Sequence, residues 1–274
     1  MISVATMSAG AFRRLRAAPS DMGQVHSVFE QALNLACHDG GLLTLHGPGP
    51  LLAPFAAALT HFPTGAVRPG RPVSRRDDTI TLDGIVVEWS GAATLDVTMR
   101  AAPKGRESVT KLLSVLPHLE NDGAGLTSTV ARGAESRVVE GLRLRQPELF
   151  IAGALGLLGL GEGLTPSGDD CLVGALAVVH RFARSWLDAH PEIESVVRTA
   201  SVTATNTIAR EFVVHALAGQ FSESLIDLMS ADSAPDIGRA VTHLLSMGAT
   251  SGADTLHGIR LALGALGTPG DSSA

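Results

Sequence analysis

The stretch TITLDGIVVEW, residues 79–89, decides the class of the fold. It contains two runs rich in β-branched and apolar residues, 79–82 and 85–89, separated by Asp83 and Gly84. An Asp-Gly pair between two such runs is a strong signal for a tight β-hairpin, because both positions tolerate a left-handed backbone. The stretch therefore predicts antiparallel β-structure in the first part of the chain.

Further β signals lie on either side of this hairpin. Residues 94–99 alternate between apolar and polar, which predicts a strand with one buried face. Residues 29–47 predict a second hairpin around Asp39-Gly40, with a short helix over 29–37 as the alternative. Short strands separated by turn signals indicate a small sheet or a barrel of hairpins.

The second part of the chain has the apolar spacing of helices. Stops at proline and glycine support helices over residues 106–119, 138–158 with a break near Pro147, 169–189, 192–218, 221–230, 235–247 and 253–266. Strands first and helices afterwards predict the α+β class and exclude the alternating pattern of a Rossmann fold.

These patterns divide the chain into four segments. The segments are a loose N-terminal extension over 1–23, a β-rich domain over 24–103, a mainly α-helical C-terminal domain over 104–267 and a frayed tail over 268–274.

Composition narrows the class of protein. Hydrophobic residues make up 45% of the 274 residues, which is ample for a buried core, and the net charge of −6 argues against nucleic-acid binding. The longest apolar run, 149–161, is too short to span a bilayer, and the N-terminus lacks the order of a signal peptide. The two cysteines, Cys37 and Cys171, are too few for a disulfide framework or a thiolate metal site. We expect a cytoplasmic protein that contacts neither nucleic acid nor membrane, with Cys171 as a small buried residue.

The stretch GLGEGLTPSGDD, residues 159–170, opens a repeated motif. SGDDCLVG at 167–174 recurs as SGADTLHG at 251–258, with five identities in eight positions. Each copy places a serine where a helix N-cap is expected and an aspartate three residues later, which is an Asp version of the capping box. Each then has a glycine four residues beyond that aspartate, where another backbone can approach closely.

Two interpretations of the repeat stay open. In the first, two capped helices simply pack across their glycines. In the second, the two helix N-termini converge and bind a phosphate, carboxylate or carbamoyl group through their dipoles and backbone N–H groups.

The first copy of the motif contains a second carboxylate, which a helix cap does not require. Asp169 has no counterpart in the second copy, where Ala253 stands, so it is a candidate general base. If the ligand is phosphorylated, helix dipoles, an Mg²⁺ ion, or a Lys or Arg from elsewhere must offset the carboxylates. The candidate catalytic residues are Asp169 and Asp170, and the candidate binding residues are Gly161, Gly163, Thr165, Ser167, Gly168, Asn206, Arg210, Ser251, Gly252 and Asp254.

Metal-ligand and nucleophile motifs are missing from the sequence. There is no HExxH spacing among the ten histidines, and no GxSxG elbow. We therefore predict no metal site formed by the protein itself and no certain cofactor, with Mg²⁺ left open.

Four stretches in this order carry a family resemblance: residues 29–47, 159–174, 206–221 and 248–263. They resemble the H-type subunit of bacterial oxamate carbamoyltransferase, a family of anaerobic allantoin degradation that was formerly a domain of unknown function. The resemblance implies transfer of a carbamoyl group between oxalurate and phosphate, giving oxamate and carbamoyl phosphate. It also implies partner subunits, including one similar to acyl-CoA or succinyl-CoA synthetases. The alternatives are a non-catalytic scaffold or ligand-sensing subunit, or an enzyme for another ureido or amide substrate.

Overall fold

The chain forms two compact units, Met1–Val97 and Thr98–Ala274. The computed structural model describes residues 1–49, 51–102, 105–116, 126 and 129–267. The first unit ends at Val97, whereas the sequence placed the boundary after residue 103. The tail over 268–274 lies outside the described residues.

The described part of the first unit is a β-barrel. Its elements are β1 Ile2–Ser8, α1 Ala9–Ala17, β2 Asp21–Val28, β3 Ala32–Cys37, β4 Leu42–His46, β5 Ala56–Leu59, β6 Pro72–Arg76, β7 Thr79–Leu82, β8 Ile85–Glu88 and β9 Ala93–Leu95. The strand order is β5-β4-β3-β2-β6-β7-β8-β1-β9, and β1 also pairs with β5. That extra pairing closes eight strands into a barrel, with β9 continuing beside β1.

Both predicted hairpins are present. β7 and β8 pair antiparallel from Leu82↔Ile85 outward, and Asp83 and Gly84 have φ of 49° and 80°. Two consecutive left-handed residues are what a tight hairpin turn requires. β3 and β4 also pair antiparallel around the second Asp-Gly turn, so the short helix considered there does not form.

The prediction of a loose N-terminal extension is wrong. Residues 2–8 form β1, which pairs with β5, β8 and β9 and thereby closes the barrel. The hydroxyl of Ser8 then caps α1 by accepting from the Ala11 amide at 3.0 Å, and α1 buries Leu15 in the barrel core. The partners of β1 are about 50 to 90 residues away, so its pairing cannot be read from residues 2–8 alone. The strand predicted over 94–99 is likewise shorter, because β9 ends at Leu95.

The described part of the second unit is helical. Its helices are α2 Gly105–Val115, α3 Thr129–Leu144, α4 Pro147–Leu157, α5 Ser167–Phe182, α6 Arg184–Asp188, α7 Glu192–Ala204, α8 Thr207–Leu217, α9 Glu223–Ser230, α10 Ala234–Leu245 and α11 Ser251–Gly267. α5 is the central helix, since every residue from Ser167 to His180 is buried. It packs against α4, α8, α9 and α11. The α+β prediction, with a β-rich part followed by a helical part, is confirmed.

The single helix predicted over 192–218 is wrong. The chain breaks between α7 and α8, where Thr205 is extended with φ −135° and ψ 174°. Asn206 then caps α8 by accepting from the amides of Ile208 and Ala209. The break contains neither glycine nor proline, so the apolar spacing runs through it undisturbed. Among the described helices, none is long and apolar enough to cross a membrane.

Candidate functional site

The two copies of the motif begin two helices that pack directly on each other. A Cβ added at Gly174 on α5 would lie 2.1 Å from the carbonyl oxygen of Thr255 on α11. A Cβ added at Gly258 on α11 would lie 1.9 Å from the carbonyl oxygen of Cys171 on α5. The two glycines are equivalent positions of the repeat, and so are the two contacted residues, so the contact is reciprocal. Packing of the copies across their glycines is confirmed.

The preceding glycine of each copy has a parallel role. A Cβ on Gly168 would lie 2.0 Å from the carbonyl oxygen of Leu157, at the end of α4. A Cβ on Gly252 would lie 2.0 Å from that of Leu244, near the end of α10. Each motif helix therefore starts against the end of the helix before it. These glycines are required for close backbone approach, which accounts for them without a ligand.

The helix starts meet through two hydroxyl groups. Thr165 Oγ1 lies 2.6 Å from Ser251 Oγ, with both residues half-buried. The Asp170 carboxyl also forms hydrogen bonds with these two side chains. This contact brings the loop before α5 onto the first turn of α11, as the hypothesis of converging helix starts requires.

The capping-box expectation is wrong. α5 begins at Ser167 and α11 at Ser251, so each serine lies inside the first turn, and Pro166 is the N-cap of α5. Asp170 Oδ2 and both carboxylate oxygens of Asp254 have no hydrogen-bond partner within the described part of the chain. The aspartates are therefore not used as caps, and one oxygen of Asp170 and both oxygens of Asp254 are buried without a partner among the described residues.

The first-turn amides of α5 are largely occupied. The amide of Gly168 donates to the Leu160 carbonyl at 2.8 Å, and those of Asp169 and Asp170 donate to the Pro166 carbonyl at 2.9 and 3.2 Å. These three N–H groups already have acceptors inside the chain. A ligand at this helix start would therefore meet side chains, above all Thr165 and Asp170.

Asp170 has a perturbed charge state. Burial raises the pKa of its carboxyl to about 8, and the neighbouring carboxylates of Asp254 and Asp169 push it in the same direction. The hydrogen bonds from Ser251 and Thr165 oppose this rise without cancelling it. At neutral pH the group is mainly a protonated acid, which can donate one hydrogen bond and accept others. Asp254 is 0% exposed and Asp170 is 8% exposed, so Asp170 is the carboxyl that a ligand reaches first.

Asp169, the candidate general base, braces two loops. Its two carboxylate oxygens each accept from the Gly159 amide at 3.2 Å, and Oδ2 accepts from Thr205 Oγ1 at 2.6 Å. Burial raises the pKa of Asp169 to about 6, against the lowering effect of these bonds. Gly159 is held at φ 70°, where an added Cβ would lie 1.9 Å from the Ala204 carbonyl oxygen. The side chain therefore ties the glycine loop to the break between α7 and α8.

The remaining candidates lie around this centre. Gly161 and Gly163 are exposed in the loop before α5, with φ of 116° and 98°. Asn206 is exposed and serves as the cap of α8, and Arg210 is half-buried in the first turn of that helix. The structure thus brings together Thr165, Asp170, Ser251 and Asp254, whereas Asn206 has a structural role.

Thr205 is the residue that sequence reasoning missed. It holds Asp169 in place, and it does so only because the helix breaks immediately before Asn206. The signal was the asparagine itself, which is a preferred N-cap residue and a poor one for a helix interior.

The chain combines an eight-stranded barrel unit with a helical unit, in which two helices begin with Ser-Gly and pack on each other. This combination defines it as an α+β protein of two units. Residues 3–95 match the model of the AllH family N-terminal domain. Residues 157–263 match the model of oxamate carbamoyltransferase subunit AllH. The two matches cover most of the chain, which belongs to the AllH family, a subunit of oxamate carbamoyltransferase. No solved structure matches the chain.

Proposed function

We propose that this chain is a subunit of a multi-subunit carbamoyltransferase acting on oxalurate and phosphate, and that the paired starts of α5 and α11 contribute to its carbamoyl site. The products are oxamate and carbamoyl phosphate. The observation that carries the proposal is the 2.6 Å contact between Thr165 and Ser251, which joins both copies of the motif beside Asp170. All of these residues lie within the stretch 157–263 that matches the carbamoyltransferase subunit.

The side chains at the two helix starts suit a carbamoyl group. Such a group has one carbonyl oxygen, which accepts hydrogen bonds, and an amino group, which donates them. The hydroxyls of Thr165 and Ser251 and the protonated Asp170 supply donors, and the carboxyl oxygens supply acceptors. The match is to an uncharged ureido end, because a dianionic phosphate would be repelled by neighbouring carboxylates.

Phosphate is therefore assigned to another surface of the complete enzyme. A partner subunit similar to acyl-CoA or succinyl-CoA synthetases would supply that phosphate-binding surface. Mg²⁺ would bind there as the counter-ion of phosphate. Asp169 is expected to act as a positioning residue, since its oxygens already accept from Gly159 and Thr205.

The test is phosphate-dependent cleavage of oxalurate by the chain assembled with partner subunits from its gene neighbourhood. Asp170→Asn and Thr165→Val are expected to lower activity by about a hundredfold to a thousandfold, the effect of removing one placed hydrogen-bonding group. Matched controls are Asp188→Asn and Thr199→Val, whose exposed side chains hydrogen-bond to Arg184 and to the Ser195 carbonyl of their own helices. Full activity of both site variants would refute the assigned site.

A second candidate function is a non-catalytic scaffold or ligand-sensing subunit. The observation favouring it is that glycine packing and the Asp169 brace explain much of the motif structurally. Calorimetry of the isolated chain with phosphate, carbamoyl phosphate and oxamate, with and without Mg²⁺, distinguishes a scaffold from a subunit that binds ligand. Heat from none of these ligands, together with full activity of Thr165→Val in the complex, would favour the scaffold. Turnover of a different ureido or amide compound in place of oxalurate would keep the site and change the substrate.

A further inference from the structure

Three potential metal ligands from three helices converge beside the motif. They are Glu135 on α3, Cys171 on α5 and His257 on α11, and one ligand atom of each lies within 4.8 Å of the other two. The thiol is buried and the other two side chains are half-buried. The sequence predicted no such site, because these residues are far apart along the chain and match no metal motif.

The Glu135–His257 pair in this cluster is already close to the spacing of two ligands on one ion. Tetrahedral coordination with bonds of about 2.0–2.3 Å places neighbouring ligand atoms about 3.3–3.8 Å apart. His257 Nε2 lies 3.0 Å from Glu135 Oε1, so this pair must open by only a few tenths of an ångström. Their side chains are 14% and 13% exposed, which leaves a narrow route from solvent.

An independent observation indicates that a positive charge belongs here. Asp254 is 0% exposed, and neither of its carboxylate oxygens has a hydrogen-bond partner among the described residues. The carboxylates of Glu135, Asp254 and Asp170 all lie close enough to the Cys171 side chain to act on it electrostatically. A buried acidic group without a donor or a cation is strongly unfavourable. A cation beside Cys171 would supply the charge that this part of the core lacks.

We propose that Glu135, Cys171 and His257 bind one divalent ion of the zinc class. A thiolate, a carboxylate and a neutral imidazole together carry two negative charges, which a divalent ion balances. Because the thiol is uncharged before it loses its proton, binding adds one net positive charge to this part of the core. Sulfur and imidazole ligands select zinc-like ions over Mg²⁺, which prefers oxygen ligands alone. On binding, the ion takes the place of the thiol proton, which passes to solvent.

Three protein ligands leave a fourth position for water or substrate, as in catalytic zinc sites. Cys171 directly follows Asp170, and His257 lies three residues beyond Asp254, so the ion would be adjacent to the proposed carbamoyl site. The ion site goes beyond the proposed function and does not depend on it.

The test uses the full chain, stripped with a chelator and titrated with Co²⁺, a spectroscopic substitute for Zn²⁺. We expect about one equivalent to bind, with a thiolate-to-cobalt charge-transfer band in the near ultraviolet that Zn²⁺ abolishes by displacement. Cys171→Ser should lose that band, and His257→Gln should weaken Co²⁺ binding by about tenfold or more. Cys37→Ser is the matched control, because Cys37 lies on β3 in the barrel unit, and it should keep the band.

The contrary results are equally definite. If the wild-type chain binds no Co²⁺ and its Tm is unchanged by Zn²⁺ or chelator, the proposal is wrong. The position then holds only a Glu135–His257 hydrogen bond. A charge-transfer band that persists in Cys171→Ser would also overturn the assignment. If that variant does not fold, Glu135→Gln and His257→Gln decide through the visible cobalt spectrum. Because no turnover is measured, failure here leaves the oxalurate assay unaffected.

Discussion

Replacing Gly258 with alanine should separate the two motif helices. The added Cβ would lie 1.9 Å from the Cys171 carbonyl oxygen, whereas ordinary contacts begin at 3.4 Å. The backbones must therefore move apart by about 1.5 Å along this contact. Both helices are buried there, so the movement disturbs the centre of the unit.

The magnitude follows from two opposing effects. Overpacking a core typically lowers the free energy of unfolding by about 1–3 kcal/mol. An overlap with buried backbone belongs at the upper end of that range, at about 3 kcal/mol or somewhat more. Alanine favours the helix over glycine by about 1 kcal/mol. The expected net loss in the free energy of unfolding is therefore about 2–3 kcal/mol, which lowers the Tm by roughly 5–10 °C for a unit of this size.

The measurement is urea unfolding followed by far-ultraviolet circular dichroism, which reports mainly on the helical unit. Gly264→Ala on the same helix is the matched control, since its added Cβ meets no atom within 4 Å. That variant should gain about 0.5–1 kcal/mol from helix propensity. Gly174→Ala, at the other half of the reciprocal contact, should lose as much as Gly258→Ala. Equal stability of Gly258→Ala and Gly264→Ala would refute the close helix contact.

Three further outcomes follow from other contacts. Burial, aided by Arg184, lowers the pKa of His180 to about 4, so its stabilising contribution is complete above about pH 6.5 and is lost as the pH falls toward 4. Urea unfolding across this range should show wild type losing about 3 kcal/mol relative to His180→Gln, and parallel pH profiles would contradict the buried neutral histidine. Thr205→Val removes the donor to Asp169 and should destabilise the chain by about 1–2 kcal/mol in the same assay; an unchanged midpoint would show that the brace contributes nothing. Asn206→Ala removes the cap of α8 and should lower stability by about 1 kcal/mol, whereas Asn206→Asp should retain most of it; equal losses in the two variants would contradict the capping role.

Local signals in the sequence predicted the parts of the fold that depend on neighbouring residues. The hairpin at Asp83-Gly84 follows from tolerance of a left-handed backbone, and the glycine contact between α5 and α11 follows from the missing Cβ of glycine. The residue type reveals both directly. The order of strands before helices follows in the same way from the change in apolar spacing.

Long-range contacts account for what the sequence could not predict. β1 is a strand because of partners about 50 to 90 residues away, and no pattern within residues 2–8 identifies them. The serines were assigned as caps because a helix start cannot be located to within one residue from composition, and that single step changes the role of Asp170 and Asp254. Glu135, Cys171 and His257 are brought together only by the packing of three helices.

The burial of α5 on every side has a consequence for how the chain is made. α5 leaves the ribosome before α8, α9 and α11, which later cover it. Until α11 arrives, the face around Gly174 has no partner, and an apolar helix with an uncovered face is prone to misassociation. Synthesis of α11 therefore covers this face, and slow translation of α11 would prolong the period in which the face is exposed.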